Sequence, residues 1–172
     1  MKLIISPAKR MVEELDFLPP EDLPRFLDRA ETLRDRLAGL SLEELRALLG
    51  CNEQIAQLNH ARYARMDLRH RLTPAVFAYQ GLQYQYMAPK LFTYGQYGWL
   101  REHLRILSGL YGILRPFDGV TPYRLEMGAK YRPWGLNGLY AFWGDSLARS
   151  LAEEDGVVVD LASREYSRAV LP

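Results

Sequence analysis

A chain of 172 residues, 48% apolar and 25% charged, has the arithmetic of one ordinary globular domain spanning 1–172. Its 22 basic and 21 acidic residues give +1 at pH 7, which excludes a protein that grips polyanions by overall charge, and its composition excludes disordered, collagen-like and disulfide-stapled chains. Cys51 has no internal partner and His60, His70 and His103 show no metal-ligand spacing, so neither metal nor cofactor is expected; no apolar run spans a bilayer and Met1–Arg10 is no signal peptide, so a cytoplasmic protein without a membrane partner is.

Lys2–Ile5 reads as a buried strand ended by Ser6-Pro7, and loops after such strands face clefts. The aperiodic stretch 13–21, with Pro19-Pro20, is an exposed connection. From Pro24, apolar residues at Phe26, Leu27, Ala30, Leu33 and Leu37 recur at helical spacing, with Gly39 beyond the end. Ser41 and Glu44 form a capping box that opens a second helix, closed by Gly50.

A third helix starts at Asn52 and either runs through Tyr63 or breaks near Leu58-Asn59. The broken version, over about 43–66, describes a helix-hairpin-helix: a turn at Ala56–Asn59 whose amides hold DNA phosphates, with His60, Arg62, Arg65, Arg69 and Arg71 on the phosphate side. Gln57 stands where the turn glycine belongs, and a plain amphipathic helix with a solvated arginine face fits the same residues.

Val76–Tyr79 reads as a second core strand before Gln80-Gly81, and 98–107 as a helix leading to Gly109 and Gly112, whose spacing suggests close backbone approach. Tyr123–Met127 alternates as a strand, which puts Arg124 and Glu126 on one face as a candidate pair. Asn137 or Gly138 opens a helix carrying Leu139, Phe142, Trp143, Leu147 and Leu151. Val157–Leu161 reads as a parallel strand covered on both faces, followed by a helix starting near Ser163. The class is α/β or α+β, with several core strands and five or six helices.

The neutral total hides a local excess. Residues 1–60 carry 8 basic and 11 acidic groups, 61–134 carry 11 and 4, and 135–172 carry 3 and 6. The same middle stretch holds 14 of the 20 aromatic residues, a mixture suited to a nucleic acid whose phosphates need cations and whose bases can stack. On composition alone a tyrosine-rich core rimmed by arginines accounts for it better, since tyrosines commonly pack with only their hydroxyls wet.

Five ordered blocks carry a resemblance over nearly the whole chain: Ile5–Lys9, His103–Gly112, Pro122–Met127, Phe142–Asp145 and Leu161–Tyr166. In sequence they resemble the signature blocks of the YaaA peroxide-stress family, and Gln83–Pro89 looks most like its Gram-positive branch. The resemblance implies a mixed α/β fold with a central sheet flanked by helices, a basic cleft and a helix-hairpin-helix element. It implies a bacterial cytoplasmic protein that binds DNA and limits iron-dependent oxidative damage. It also implies relatives that continue past the stretch matched here, with a later basic block, so that this chain corresponds either to a shortened member or to one part of a longer gene product; Leu82 stands where the family commonly has an acid.

Two functions compete. One is sequence-independent DNA binding through the arginines after residue 60. The other is an enzyme of unassigned reaction on a phosphate-bearing small molecule such as a nucleotide, in a cleft lined by Ser6, Lys9, Arg105, Arg115, Tyr123, Arg124, Glu126, Ser163 and Tyr166, because these blocks fall at strand ends and turns. Lys9 would then be an anion ligand or base, Glu126 an acid or base, and Arg124 a phosphate clamp. Direct iron binding and a redox role for Cys51 find less support: carboxylates and histidines do not cluster, and the thiol has no resolving partner.

Overall fold

In the computed structural model, which describes residues 1–171, the chain opens with strands β1 (Lys2–Ile5) and β2 (Arg10–Met11). Helices α1 (Leu27–Ala38), α2 (Leu42–Leu49) and α3 (Glu53–Arg65) follow. The middle holds β3 (Thr73–Pro74), α4 (Ala75–Ala78), β4 (Tyr79–Gln80), α5 (Leu82–Met87) and α6 (Tyr94–His103). Then come β5 (Leu104–Ser108), β6 (Gly112–Leu114), β7 (Gly119–Val120), α7 (Gly138–Trp143), α8 (Ser146–Glu154), β8 (Val158–Asp160) and α9 (Arg164–Ser167).

The main sheet is mixed, ordered β6-β5-β1-β8: β1 runs parallel to β5 and β8, and β6 antiparallel to β5. Leu3 stands opposite Leu104 on one side and Val159 on the other. Helices flank the sheet, and the core joins Ile4, Ile106 and Leu107 to Leu33 and Leu37 of α1 and to Trp143 and Leu147 of α7 and α8. Of two short antiparallel ladders, β2 with β4 fastens the segment after β1 to the middle of the chain, and β3 with β7 ties two parts of that middle together. The first fixes where the loop after β1 lies.

The helix signals at Ser41 and Gly50 operate as written. Ser41 Oγ accepts from the Glu44 amide at 3.2 Å, and the Glu44 carboxylate accepts from the Ser41 amide at 2.8 Å. Gly50 ends α2 in the left-handed region at φ +53°, where a side chain would be strained. Two residues later Asn52 Oδ1 caps α3 by accepting from the Ile55 amide at 2.9 Å. The result is a tight helical hairpin, α2 against α3.

Its turn is therefore at Gly50–Asn52 and not at Ala56–Asn59, because α3 runs unbroken through Leu58-Asn59. Asn59 is buried, and its side-chain amide donates to the Ile55 carbonyl at 2.9 Å, so its polar group is satisfied inside the helix. Other elements depart from their periodicity as well. Val76–Ala78 belongs to a helical turn, with only Tyr79-Gln80 extended; a short, wholly buried apolar run has no polar face to declare its period, and the Ala75 and Val76 amides bond to the carbonyls of Asp118 and Pro116. Helix α6 is capped by Thr93 and Gln96 and stops at His103, leaving Leu104–Leu107 to the sheet centre, where strand pairing decides the backbone. Tyr123–Met127 alternates in burial yet pairs with no strand. The helix after Asn137 divides at Gly144 into α7 and α8. Strand β8 is parallel as expected, but it is the sheet's edge: Val157 is 58% and Leu161 59% exposed, so it is not covered on both faces.

Candidate functional site

The loops that leave β1 and β8 at their carboxyl ends meet. The Ser163 amide donates to Ser6 Oγ at 2.8 Å, and the two hydroxyls lie 3.2 Å apart. Tyr84 fixes this loop from α5 by donating to the Ser6 carbonyl at 2.8 Å. Beside them the extended segment 123–127 presents Arg124 and Glu126 on one side, as its alternation requires. Arg124 Nε and Nη2 both donate to Glu126 Oε1, at 3.1 and 3.0 Å, and Lys9 Nζ reaches the same oxygen at 3.6 Å. Arg124 and Glu126 are mostly buried, whereas Lys9 is 72% exposed at the rim.

These groups enclose a recess of about 220 Å³. Tyr123 and Tyr166 form part of its lining. Tyr123 shares its hydroxyl with Tyr79 at 2.8 Å and Ser108 at 2.5 Å, and burial pushes both Tyr123 and Tyr166 well above the ordinary phenol value, so they are neutral walls and not bases. The serine hydroxyls bond to each other and no histidine lines the recess, so the arrangement lacks the activating base of a nucleophilic serine. What it offers is two cations, two hydroxyls and two carboxylates, Glu126 and Glu165, facing a small volume at the ends of parallel strands, where the order passes from β1 to β5 on one side and β8 on the other. Open α/β sheets bind ligands at such places.

A second hollow, of about 530 Å³, is built by neighbouring stretches of the same chain segments. Arg62 and Arg65 of α3 line it together with His70 and Arg71, and its remaining walls include Met11–Glu13 and Thr121-Pro122, the continuations of the segments that build the recess. Arg62 is half-buried, contacts Asn59 Oδ1 at 3.4 Å, and has its pKa lowered by desolvation while remaining charged at neutral pH. Arg71 adopts φ +53°, uncommon outside glycine, and pairs with Glu13 at 2.9 Å. His70 Nδ1 lies 2.8 Å from Asp67, whose pKa is lowered mainly by the Arg69 amide.

Not every expected residue joins these surfaces. His60 lines neither, and Arg69 is held by Glu31 through two bonds of 2.8 and 2.9 Å. Arg105 is 5% exposed, pairs with Glu154 and donates to the carbonyls of Arg101 and Leu104. Arg115 binds Asp118 at 2.8 Å and Asp22 at 3.1 Å. Both lie in a separate polar cavity with Ser150, so they hold the fold together and do not face the recess. Conversely, Glu165 was absent from the expected set although it sits inside a signature block; it lines the recess and accepts from the Gly128 amide at 2.8 Å. Among the described residues no three His, Cys, Asp or Glu side chains form a group that could hold a metal.

The model of the family described as peroxide stress protein YaaA matches residues 1–172. The chain belongs to that family. Relatives of the same kind include the UPF0246 protein of Desulfitobacterium hafniense, 51% identical over 170 residues, which span 99% of this chain and 68% of that one. The UPF0246 protein of Agathobacter rectalis is 47% identical over 99% of this chain and 68% of its own length. That of Pediococcus pentosaceus is 46% identical over 100% and 68%. The resemblance read from five motif blocks thus holds, as does the expectation of longer relatives: the chain spans about two thirds of these YaaA-family proteins. No helix among the described residues is long and apolar enough to cross a membrane.

Proposed function

We propose that the chain acts in the peroxide response by binding DNA in the cytoplasm through its phosphates, without reading base sequence. The observation that carries this reading is the meeting of Arg62, Arg65, His70 and Arg71 around one hollow whose walls at 11–13 and 121–122 continue the chain segments that carry Lys9 and Arg124. Cations gathered on such linked segments suit a charged backbone, whose phosphates carry no sequence information. Phosphate neutralisation bears on iron too. Side chains that contact phosphates release the cations condensed there, so a bound chain lowers the iron held where radical damage occurs.

The test is fluorescence anisotropy with short duplex, bubble and single-stranded DNA across a salt series, for the native chain and for Arg62→Ala/Arg65→Ala. Binding that weakens steeply with salt, and less steeply in the variant, is expected. Salt-independent binding, or none by the folded chain, overturns the reading.

A second reading, a small phosphate-bearing ligand, is favoured by one observation: Ser6, Lys9, Arg124 and Ser163 converge on a recess of ligand size at the ends of parallel strands.

A further inference from the structure

We infer that the recess between Ser6, Lys9, Arg124 and Ser163 takes a terminal phosphate, a phosphomonoester, and that on DNA this is the phosphorylated end of a strand; the strand-end form rests on the DNA-binding reading above. The inference comes from shape, hydrogen-bond polarity and charge together.

The recess holds about 220 Å³, and the buried side chains of Tyr123, Leu125 and Tyr166 line it. An internal phosphodiester carries a sugar on both sides and needs a way in and a way out; a phosphomonoester carries one substituent and enters end-on. A small recess backed by buried side chains favours the second.

The hydroxyls have a defined direction. Ser6 Oγ accepts from the Ser163 amide at 2.8 Å, and with its own proton donated to Ser163 Oγ at 3.2 Å, the Ser163 hydroxyl proton remains for a ligand. Such a chain polarises its last donor. Lys9, exposed at the rim and 3.6 Å from Glu126, supplies the mobile cation, and Arg124 the fixed one.

The carboxylates complete the discrimination. Glu126 already receives Arg124 and Lys9, and Glu165 accepts from the Gly128 amide. A phosphodiester has only acceptors to show these oxygens. A phosphomonoester, with a second pKa of about 6, is mostly the dianion at neutral pH, and only the fraction that binds with its proton retained can donate it to one of these carboxylates.

The hollow of Arg62 and Arg65, tied to the recess through the segments 9–13 and 121–126, supplies cations for the following backbone phosphates of a strand. Radical attack on deoxyribose breaks strands and leaves phosphate-bearing ends, which gives this chemistry a source in a peroxide-stressed cell.

The experiment measures the full chain against one duplex in three forms: phosphorylated at its ends, bearing hydroxyl ends, and closed by hairpins into a dumbbell without ends. Deoxyadenosine monophosphate is titrated separately by calorimetry. The phosphorylated duplex is expected to bind about tenfold tighter than the other two, the effect of one charged hydrogen-bonding set. Ser163→Ala, at an exposed side chain and checked for folding by circular dichroism, is expected to abolish that preference while keeping affinity for the dumbbell; Lys9→Ala removes a cation of the DNA surface as well and is expected to abolish the preference and lower affinity for the dumbbell too; Arg62→Ala/Arg65→Ala lowers affinity for all three. Equal affinity for phosphate and hydroxyl ends, with no nucleotide binding, overturns the inference and leaves the DNA reading standing. Nucleotide binding that Ser163→Ala abolishes, without an end preference on DNA, supports the phosphomonoester and overturns the strand end as its source. Failure to bind any DNA overturns the DNA reading, and the nucleotide titration then decides the recess alone.

Discussion

The Tyr63 hydroxyl donates a 2.8 Å hydrogen bond to the backbone carbonyl of Arg124. It joins the helix that carries Arg62 and Arg65 to the wall that carries Arg124 and Glu126, so the two candidate surfaces are held in one geometry. Tyr63 is 1% exposed, and burial raises its pKa far above the ordinary phenol value, so the donor is always protonated.

Tyr63→Phe removes only that donor and leaves a carbonyl without its partner. Stability should fall by about 1–3 kcal/mol with little change of fold, the usual effect of an unsatisfied buried acceptor. Urea denaturation checks this, and an unchanged midpoint would show that the bond is dispensable.

Arg62→Ala/Arg65→Ala should lower the slope of log K against log salt by about 2, since each phosphate contact contributes close to 0.9. Arg69→Ala should have a much smaller effect, because Glu31 and Asp28 already engage that guanidinium. Equal loss from both variants would mean that overall charge, and not the hollow, governs binding.

Asp118 is 2% exposed, and burial pushes its carboxyl from 3.8 up to about 6 against the pull of Arg115, which is itself 43% exposed and so less able to compensate. Because the folded pKa lies above the unfolded one, protonation favours the folded state. That contribution is complete below about pH 3.8, is lost as pH rises toward 6, and amounts to about 3 kcal/mol. Asp118→Asn should remove this component, so the stability difference between the native chain and the variant should vary between pH 4 and 6 and flatten above. A pH series of chemical denaturation reads it; parallel curves for the two proteins would refute the assignment.

Gly109 lies directly against the Leu125 backbone, where an added Cβ would collide with the carbonyl, while its own carbonyl accepts from Trp143 Nε1 at 3.1 Å. Gly109→Ala must displace the segment that presents Arg124 and Glu126, and should destabilise the chain by about 3 kcal/mol or more. Thermal unfolding tests it, and a variant as stable as the native chain would show that the segment can shift freely.

Much of the local structure was legible. Ser41, Glu44 and Gly50 act within one helix, and their capping chemistry needs nothing beyond it. The Lys2–Ile5 strand and the Arg124–Glu126 pair followed from burial and alternation over a few residues. The errors share a cause. Val76–Ala78 is a wholly buried apolar run and Leu104–Leu107 a wholly buried one whose single charge, Arg105, is turned inward to Glu154, so neither has a solvated face to mark a period and the partner that accepts their amides decides between helix and strand.

The candidate site divides along the same line. Its signature blocks could be picked out one by one, including Ser6-Pro7-Ala8-Lys9 and Ser163-Arg164-Glu165-Tyr166, and their residue types announced anion chemistry. Sequence could not sort them, because identical arginines serve different ends: Arg124 faces the recess, whereas Arg105 pairs with Glu154 and Arg115 with buried Asp118 elsewhere. The sequence by itself determined the family, the mixed class and the capped helices, all set by contiguous residues. Only the tertiary structure decided that Ser6 and Ser163, 157 positions apart, meet across parallel β1 and β8, because strand pairing is a long-range choice made by the whole sheet.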